Sequence, residues 1–177
     1  SSNLHITYMQ EDRNVPGTIL YSEYYSVWTI SKGELQRSKF ASSNSKCYKE
    51  GYFGESKLKW FASFFQLNLT TILLADSGNH CLRFIDRITG HTSRLQGMCG
   101  TSGFQNGLDA RFHNPTTVIL DTMEENQLLI LDNENACLRS MNRINLRVST
   151  LKIFDPSDKE YSNMIQLTNG NSRRRHH

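Results

Sequence analysis

The sequence is poor in proline, has no long apolar run and concentrates no charge. Three prolines and eleven glycines in 177 residues exclude a collagen-like repeat or a Pro-rich linker, and 10% aromatic content excludes gross disorder, because Tyr and Phe at that density require burial. No stretch approaches the roughly 18 uninterrupted apolar residues of a membrane helix. The opening Ser1, Ser2 and Asn3 carry neither the charged nor the apolar region of a secretory leader. The net charge of +3 rests on Arg173, Arg174 and Arg175, in a stretch read as a solvated tail or tag, with a basic processing site as the sharper alternative. A nucleic-acid surface requires a denser basic patch. The chain has no Gly-x-Ser-x-Gly elbow, no P-loop and no dinucleotide fingerprint, and its histidines and cysteines lack the close spacing of a zinc site. The length fits one domain.

What the chain does contain is an internal repeat. The stretch from Cys47 through Gly51 to Phe61 recurs, 51 or 52 positions later, from Cys99 through Gly103 to Phe112. Ile72-Leu-Leu-Ala-Asp76-Ser-Gly-Asn79-His80-Cys81-Leu-Arg83 is echoed 56 positions later by a stretch ending Asp132-Asn-Glu-Asn135-Ala-Cys137-Leu-Arg139. An insertion in the polar segment Asp121–Gln127 accounts for the difference. Short runs rich in Ile, Leu, Val and Phe, bounded by Asp, Asn, Gly or Ser, predict strands rather than helices. In one unit they span Ser63–Asn68, Thr71–Asp76, Cys81–Asp86 and His91–Gly97, and in the next Thr116–Asp121, Gln127–Asp132, Cys137–Asn142 and Arg147–Ile153. A weaker first unit covers Leu4–Met9, Thr18–Ser22, Ser26–Ser31 and Leu35–Phe40.

Four short antiparallel strands recurring every ~40–55 residues are the signature of a β-propeller blade. Leu74-Ala-Asp76-Ser-Gly-Asn79-His80-Cys81-Leu82-Arg83, with the later Thr89-Gly90, Gly97, Gly103, Gly107, Ala110, Phe112 and Pro115, resembles the NHL repeat, whose name comes from an Asn-His-Leu motif. The expected fold class is therefore all-β, a propeller segment of about three four-stranded blades plus a partial one, belonging to a larger propeller. Residues 1–46 form a divergent first blade, 47–98 and 99–153 two NHL-like blades, and 154–177 a partial strand or blade with the basic tail. Tyr161–Leu167 is read as the inner strand of a fourth blade. An open arc of blades leaves sheet faces unpacked, so a protein partner, a second chain or another copy is expected to complete the ring.

In a blade, the linker crosses the face where the second and third strands join. That places Cys47 near Cys81 and Cys99 near Cys137, the favoured disulfides; the competing scheme joins Cys81 to Cys99 across one hairpin. Disulfides, with the sequon Asn68-Leu-Thr70 at a predicted turn, point to a secreted or cell-surface protein. Asp76 and Asp132 read as turn formers, and the only cofactor they suggest is Ca²⁺. Arg83 and Arg139 hold matching places and are candidate contacts for an anionic partner. The aromatic cluster around Tyr24 and Trp28 is either blade packing or a binding hot spot. The functional expectation is a non-enzymatic platform that recognises a protein through loops on one face. The resemblance implies two alternatives: a metal-dependent propeller enzyme similar to the peptidyl-hydroxyglycine amidating lyase, and RNA binding as in other NHL proteins.

Overall fold

A computed structural model describes residues 6–23, 25–31, 33, 37–42 and 48–151, with only the backbone of 37–42. Among the described residues twelve strands form three antiparallel sheets of four, each in simple chain order. Blade 1 contains β1 (Ile6–Glu11), β2 (Thr18–Glu23), β3 (Ser26–Ser31) and β4 (Arg37–Ser42). Blade 2 contains β5 (Phe64–Gln66), β6 (Thr71–Asp76), β7 (Cys81–Asp86) and β8 (Thr92–Gln96). Blade 3 contains β9 (Pro115–Leu120), β10 (Gln127–Asp132), β11 (Cys137–Asn142) and β12 (Val148–Thr150). Single 3-10 turns, Ser77–Asn79 and Asn133–Asn135, join the second and third strands of blades 2 and 3. Tyr161–Leu167 and the arginine tail lie outside the described residues.

The run Thr71-Ile-Leu-Leu-Ala-Asp76 is apolar at consecutive positions because blade 2 is covered on both faces. Successive strand residues point to opposite sides. Ile72, Leu74 and Ile85 pack with Leu20 and Val27 of blade 1 and with Leu58, Phe61 and Phe64. Leu73, Ala75 and Leu82 pack with Ala110, Phe112, Val118, Leu128 and Ile130, on the side of blade 3. Tyr8 meets Phe64 edge to face at 5.0 Å. Polar ties cross the same seams: Ser63 Oγ donates to the Thr116 carbonyl at 2.8 Å and Ser77 Oγ to the Pro115 carbonyl at 2.6 Å.

Among the described residues the next step of this pattern is open. Ile119 and Leu131 of blade 3 match Phe65 and Ala75 of blade 2 in strand register, yet remain 43% and 39% exposed. The three blades are an arc, not a closed ring.

The structure corrects the register of the repeat. Gly51 pairs through both backbone groups with Thr92, and Gly107 does the same with Val148. Gly51 is thus the counterpart of Gly107, 56 positions on, rather than of Gly103. Phe112 takes the place of Leu58, not of Phe61. The turn closed by Leu67 and Thr71 is two residues shorter than the one closed by Asp121 and Gln127, so Asp121–Gln127 accommodates two added residues, not four.

Candidate functional site

The motif residues converge on one construction, built twice. Asp76 ends β6, and its counterpart Asp132 ends β10. Each carboxylate receives three kinds of donor. Asn79 and Asn135 donate from Nδ2, each at 2.9 Å. The backbone N–H of Lys59 or His113, in the incoming linker, donates at 3.0 or 2.8 Å. The guanidinium of Arg83 or Arg139, across the hairpin, donates at 3.3 or 2.7 Å.

Each arginine then reaches two linker carbonyls. Arg83 donates to Lys57 at 2.6 Å and Lys49 at 2.8 Å; Arg139 donates to Arg111 at 3.3 Å and Gln105 at 2.7 Å. Tyr48 lies against the Arg83 guanidinium at 4.9 Å and Phe104 against that of Arg139 at 4.8 Å, the offset of a cation–π contact. Both arginines and both aspartates are 0% exposed. The 3-10 turn makes this geometry: it ends on a left-handed residue, His80 or Ala136, and so returns Asn79 or Asn135 toward the carboxylate three residues earlier.

Burial pushes the Asp76 carboxyl up to about 6, against the lowering pull of Asn79, Arg83 and the Lys59 N–H. Burial, then the Glu50 carboxylate, raises the Tyr48 phenol to about 12. The Tyr48 hydroxyl donates to Glu50 at 2.6 Å, and that bond and the Arg94 N–H hold Glu50 below the usual carboxylate range.

Two expectations are therefore corrected. Arg83 and Arg139 form no basic ring for an anionic partner, because both are buried and each guanidinium serves a carboxylate and two carbonyls of its own blade. The sequence carried a usable signal in the spacing, since an Asp stands seven residues before an Arg in both blades; hydropathy hides it by scoring arginine as a surface residue. Asp76 and Asp132 are likewise committed to arginine, asparagine and backbone N–H donors.

The cysteines need the second correction. The favoured pairs Cys47 with Cys81 and Cys99 with Cys137 do not form; the structure joins Cys81 to Cys99, with Cα atoms 5.1 Å apart. The physical reason is the chain path after β8. Leu82 pairs with Gln96, so the chain leaving β8 passes directly over Cys81, and the Gly100 N–H donates to the Asn79 carbonyl at 2.7 Å. The corrected register also removes the supposed equivalence, because Tyr48 matches Phe104 and Cys47 therefore corresponds to Gly103. Cys47 lies outside the described residues. Cys137 is a half-buried free thiol, raised by burial and then by Asp132.

Asn68 is exposed in the β5–β6 turn, where its Oδ1 accepts from the Thr70 N–H at 2.9 Å and hydroxyl at 3.1 Å. Trp28 is half-buried on β3; Tyr24 lies outside the described residues. Among the described residues no three His, Cys, Asp or Glu side chains converge as a metal site, and no helix is long and apolar enough to cross a membrane.

Solved structures share this fold. The chain resembles an auxiliary nutrient binding protein of Bacteroides thetaiotaomicron at TM-score 0.56 and 15% identity, over 77% of this chain and 33% of that one. A protein of unknown function from the same organism matches at TM-score 0.56 and 20% identity, over 70% and 32%. An auxiliary nutrient binding protein of Bacteroides ovatus matches at TM-score 0.54 and 17% identity, over 78% and 33%. At these identities the likeness is one of fold, and this chain spans about a third of each neighbour. No family model and no curated protein matches the sequence.

Proposed function

We propose that this chain is a segment of an NHL-type propeller that works outside the cell as a rigid, non-enzymatic binding platform. One observation carries the reading: the motif's charged and polar residues, Asp, Asn and Arg, are turned inward in both blades to clamp the linkers, which makes them scaffold and leaves recognition to the loops. The two neighbours named as nutrient binding proteins support a capturing role over bond making. The Cys81–Cys99 disulfide supports an oxidising compartment, and the exposed sequon supports a glycan on Asn68. The exposed Ile119 and Leu131 support completion of the ring by further blades, from a second chain, another copy or a longer polypeptide.

Secretory expression tests the compartment. Intact mass should fall with glycosidase, rise by one reduced disulfide on reduction, and lose its glycan in Asn68→Gln. Free thiols at Cys81 and Cys99 in protein secreted as an unglycosylated monomer would overturn the extracellular reading.

A further inference from the structure

The hairpin turns of blades 2 and 3 share one edge of the arc, opposite the 3-10 turns. Each of the four presents a bare aliphatic side chain: Leu69 is 71% exposed, Ile88 78%, Met123 91% and Ile144 76%. They sit at matching places, Ile88 and Ile144 in the β7–β8 and β11–β12 turns, Leu69 and Met123 in the β5–β6 and β9–β10 turns.

Three of these residues are held in position by their own turns. Asp86 Oδ1 accepts from the Ile88 N–H at 2.8 Å, Asn142 Oδ1 from Ile144 at 2.9 Å, and Asp121 Oδ1 from Met123 at 2.8 Å. In these three turns the closing bond joins the Asp or Asn side chain to the backbone N–H of the tip, so the tip's own side chain is not a demand of folding. Single exposed apolar residues need no explanation, whereas an array on one face marks an interaction surface.

Between these turns, at the seam of blades 2 and 3, lies a cleft of about 240 Å³. Its floor is the buried core, Leu73, Leu128 and Met141, and its walls include the half-buried Leu67 and Leu146. Arg143 stands at the mouth. It donates one Nη1 bond, to the Glu125 carbonyl at 3.0 Å, out of the five N–H donors of a guanidinium. An apolar cleft with one cationic group at its rim fits a side chain of complementary kind.

We propose that this turn face is where the platform docks its partner, a protein segment that inserts a Leu-like side chain into the cleft and sets an adjacent carboxylate against Arg143. The inference rests on the platform reading and adds the face and the anchor chemistry to it. The cleft has ample room for one Leu side chain, and Arg143 selects an acidic neighbour. The exposed tips Ile88 and Met123 then supply the surrounding apolar contact, Leu69 lying beside the glycan proposed on Asn68.

The test is an NMR titration of the full chain carrying Asn68→Gln with the peptide acetyl-Gly-Glu-Leu-Gly-amide, read on backbone amides. Saturable shifts are expected at Asn126, Arg143 and Leu146. Replacing Leu by Ala in the peptide should weaken binding about tenfold, and Glu by Gln, or Arg143→Ser in the protein, about threefold. Ile88→Ser with Met123→Ser alters only exposed tips outside the cleft lining, and should reduce capture of a larger protein-borne Glu-Leu segment while leaving the melting temperature unchanged. Shifts confined to the linker rim around Tyr52 and Phe104 would overturn this inference and leave the platform reading standing. Absence of shifts, with the tips instead binding phosphatidylcholine vesicles in co-sedimentation, would overturn both in favour of a lipid surface.

Discussion

Arg83 and Arg139 are the residues on which blades 2 and 3 depend most directly. Each neutralises a carboxylate that is 0% exposed, and removing one partner of a buried pair leaves the other uncompensated. Arg83→Met should lower unfolding free energy by about 3–5 kcal/mol, measured by urea denaturation, and Asp76→Asn in the same chain should recover much of the loss. A third ion pair ties blade 1 to blade 2: Arg87 Nη1 donates to Asp12 at 3.1 Å, and Gln66 Nε2 donates to the same carboxylate at 3.0 Å. Burial acts to raise the Asp12 carboxyl, but Arg87, the Asn14 N–H and Gln66 together hold it below its ordinary value of 3.8. A depressed pKa stabilises the fold above the unfolded value, and that share is lost as pH falls through the folded one. Stability measured against pH should therefore drop below about pH 4, and Asp12→Asn should remove that part of the slope. Asp76 has the opposite sign: with its pKa raised to about 6, its contribution is complete below pH 3.8 and disappears as pH rises toward 6.

The segment leaving β8 holds the elements of blades 2 and 3 in register. Gly97 has φ +94, and a Cβ there would lie 2.8 Å from the Phe112 ring and 3.0 Å from Cys81 Cα. Phe112 is fully buried and cannot move aside, so Gly97→Ala should cost about 2–3 kcal/mol, visible as a lower melting temperature. Two residues on, the Cys81–Cys99 disulfide closes a loop of 18 residues. Cys99→Ser should remove about 3 kcal/mol on the chain-entropy account, with the urea midpoint shifted. Most strands of blades 2 and 3 could be read from the chain within two residues, because runs such as Thr71–Asp76 carry their burial in their composition. The linkers could not. Their course is set by the carbonyls that Arg83 and Arg139 collect and by the Gly51–Thr92 and Gly107–Val148 bridges, and none of these partners is close in sequence. Aligning Gly51 with Gly103 therefore misplaced the cysteines and, with them, the disulfide.

For the whole molecule, the decisive feature is an arc whose last described sheet ends on an apolar face that no other described residues cover. Blade 2 buries Leu73 and Ala75 against blade 3, while the matching Leu129 and Leu131 meet no fourth blade among the described residues. Leu129→Lys with Leu131→Lys should leave the melting temperature within about 2 °C, as expected for substitutions outside the packed core. The same pair should lower the molar mass of the native chain measured by light scattering at tens of micromolar. Unchanged mass would show that this face does not drive association.

Strand order, blade periodicity and the all-β class follow from the chain alone, because a period of two and regularly placed turn residues are local properties that each segment carries with it. Pairing of cysteines, burial of two arginines and collection of four aliphatic turn tips on one edge depend on segments 18 or more residues apart. Those arrangements exist only once the blades are packed, where a buried guanidinium is tolerable because a carboxylate and two carbonyls from distant segments surround it.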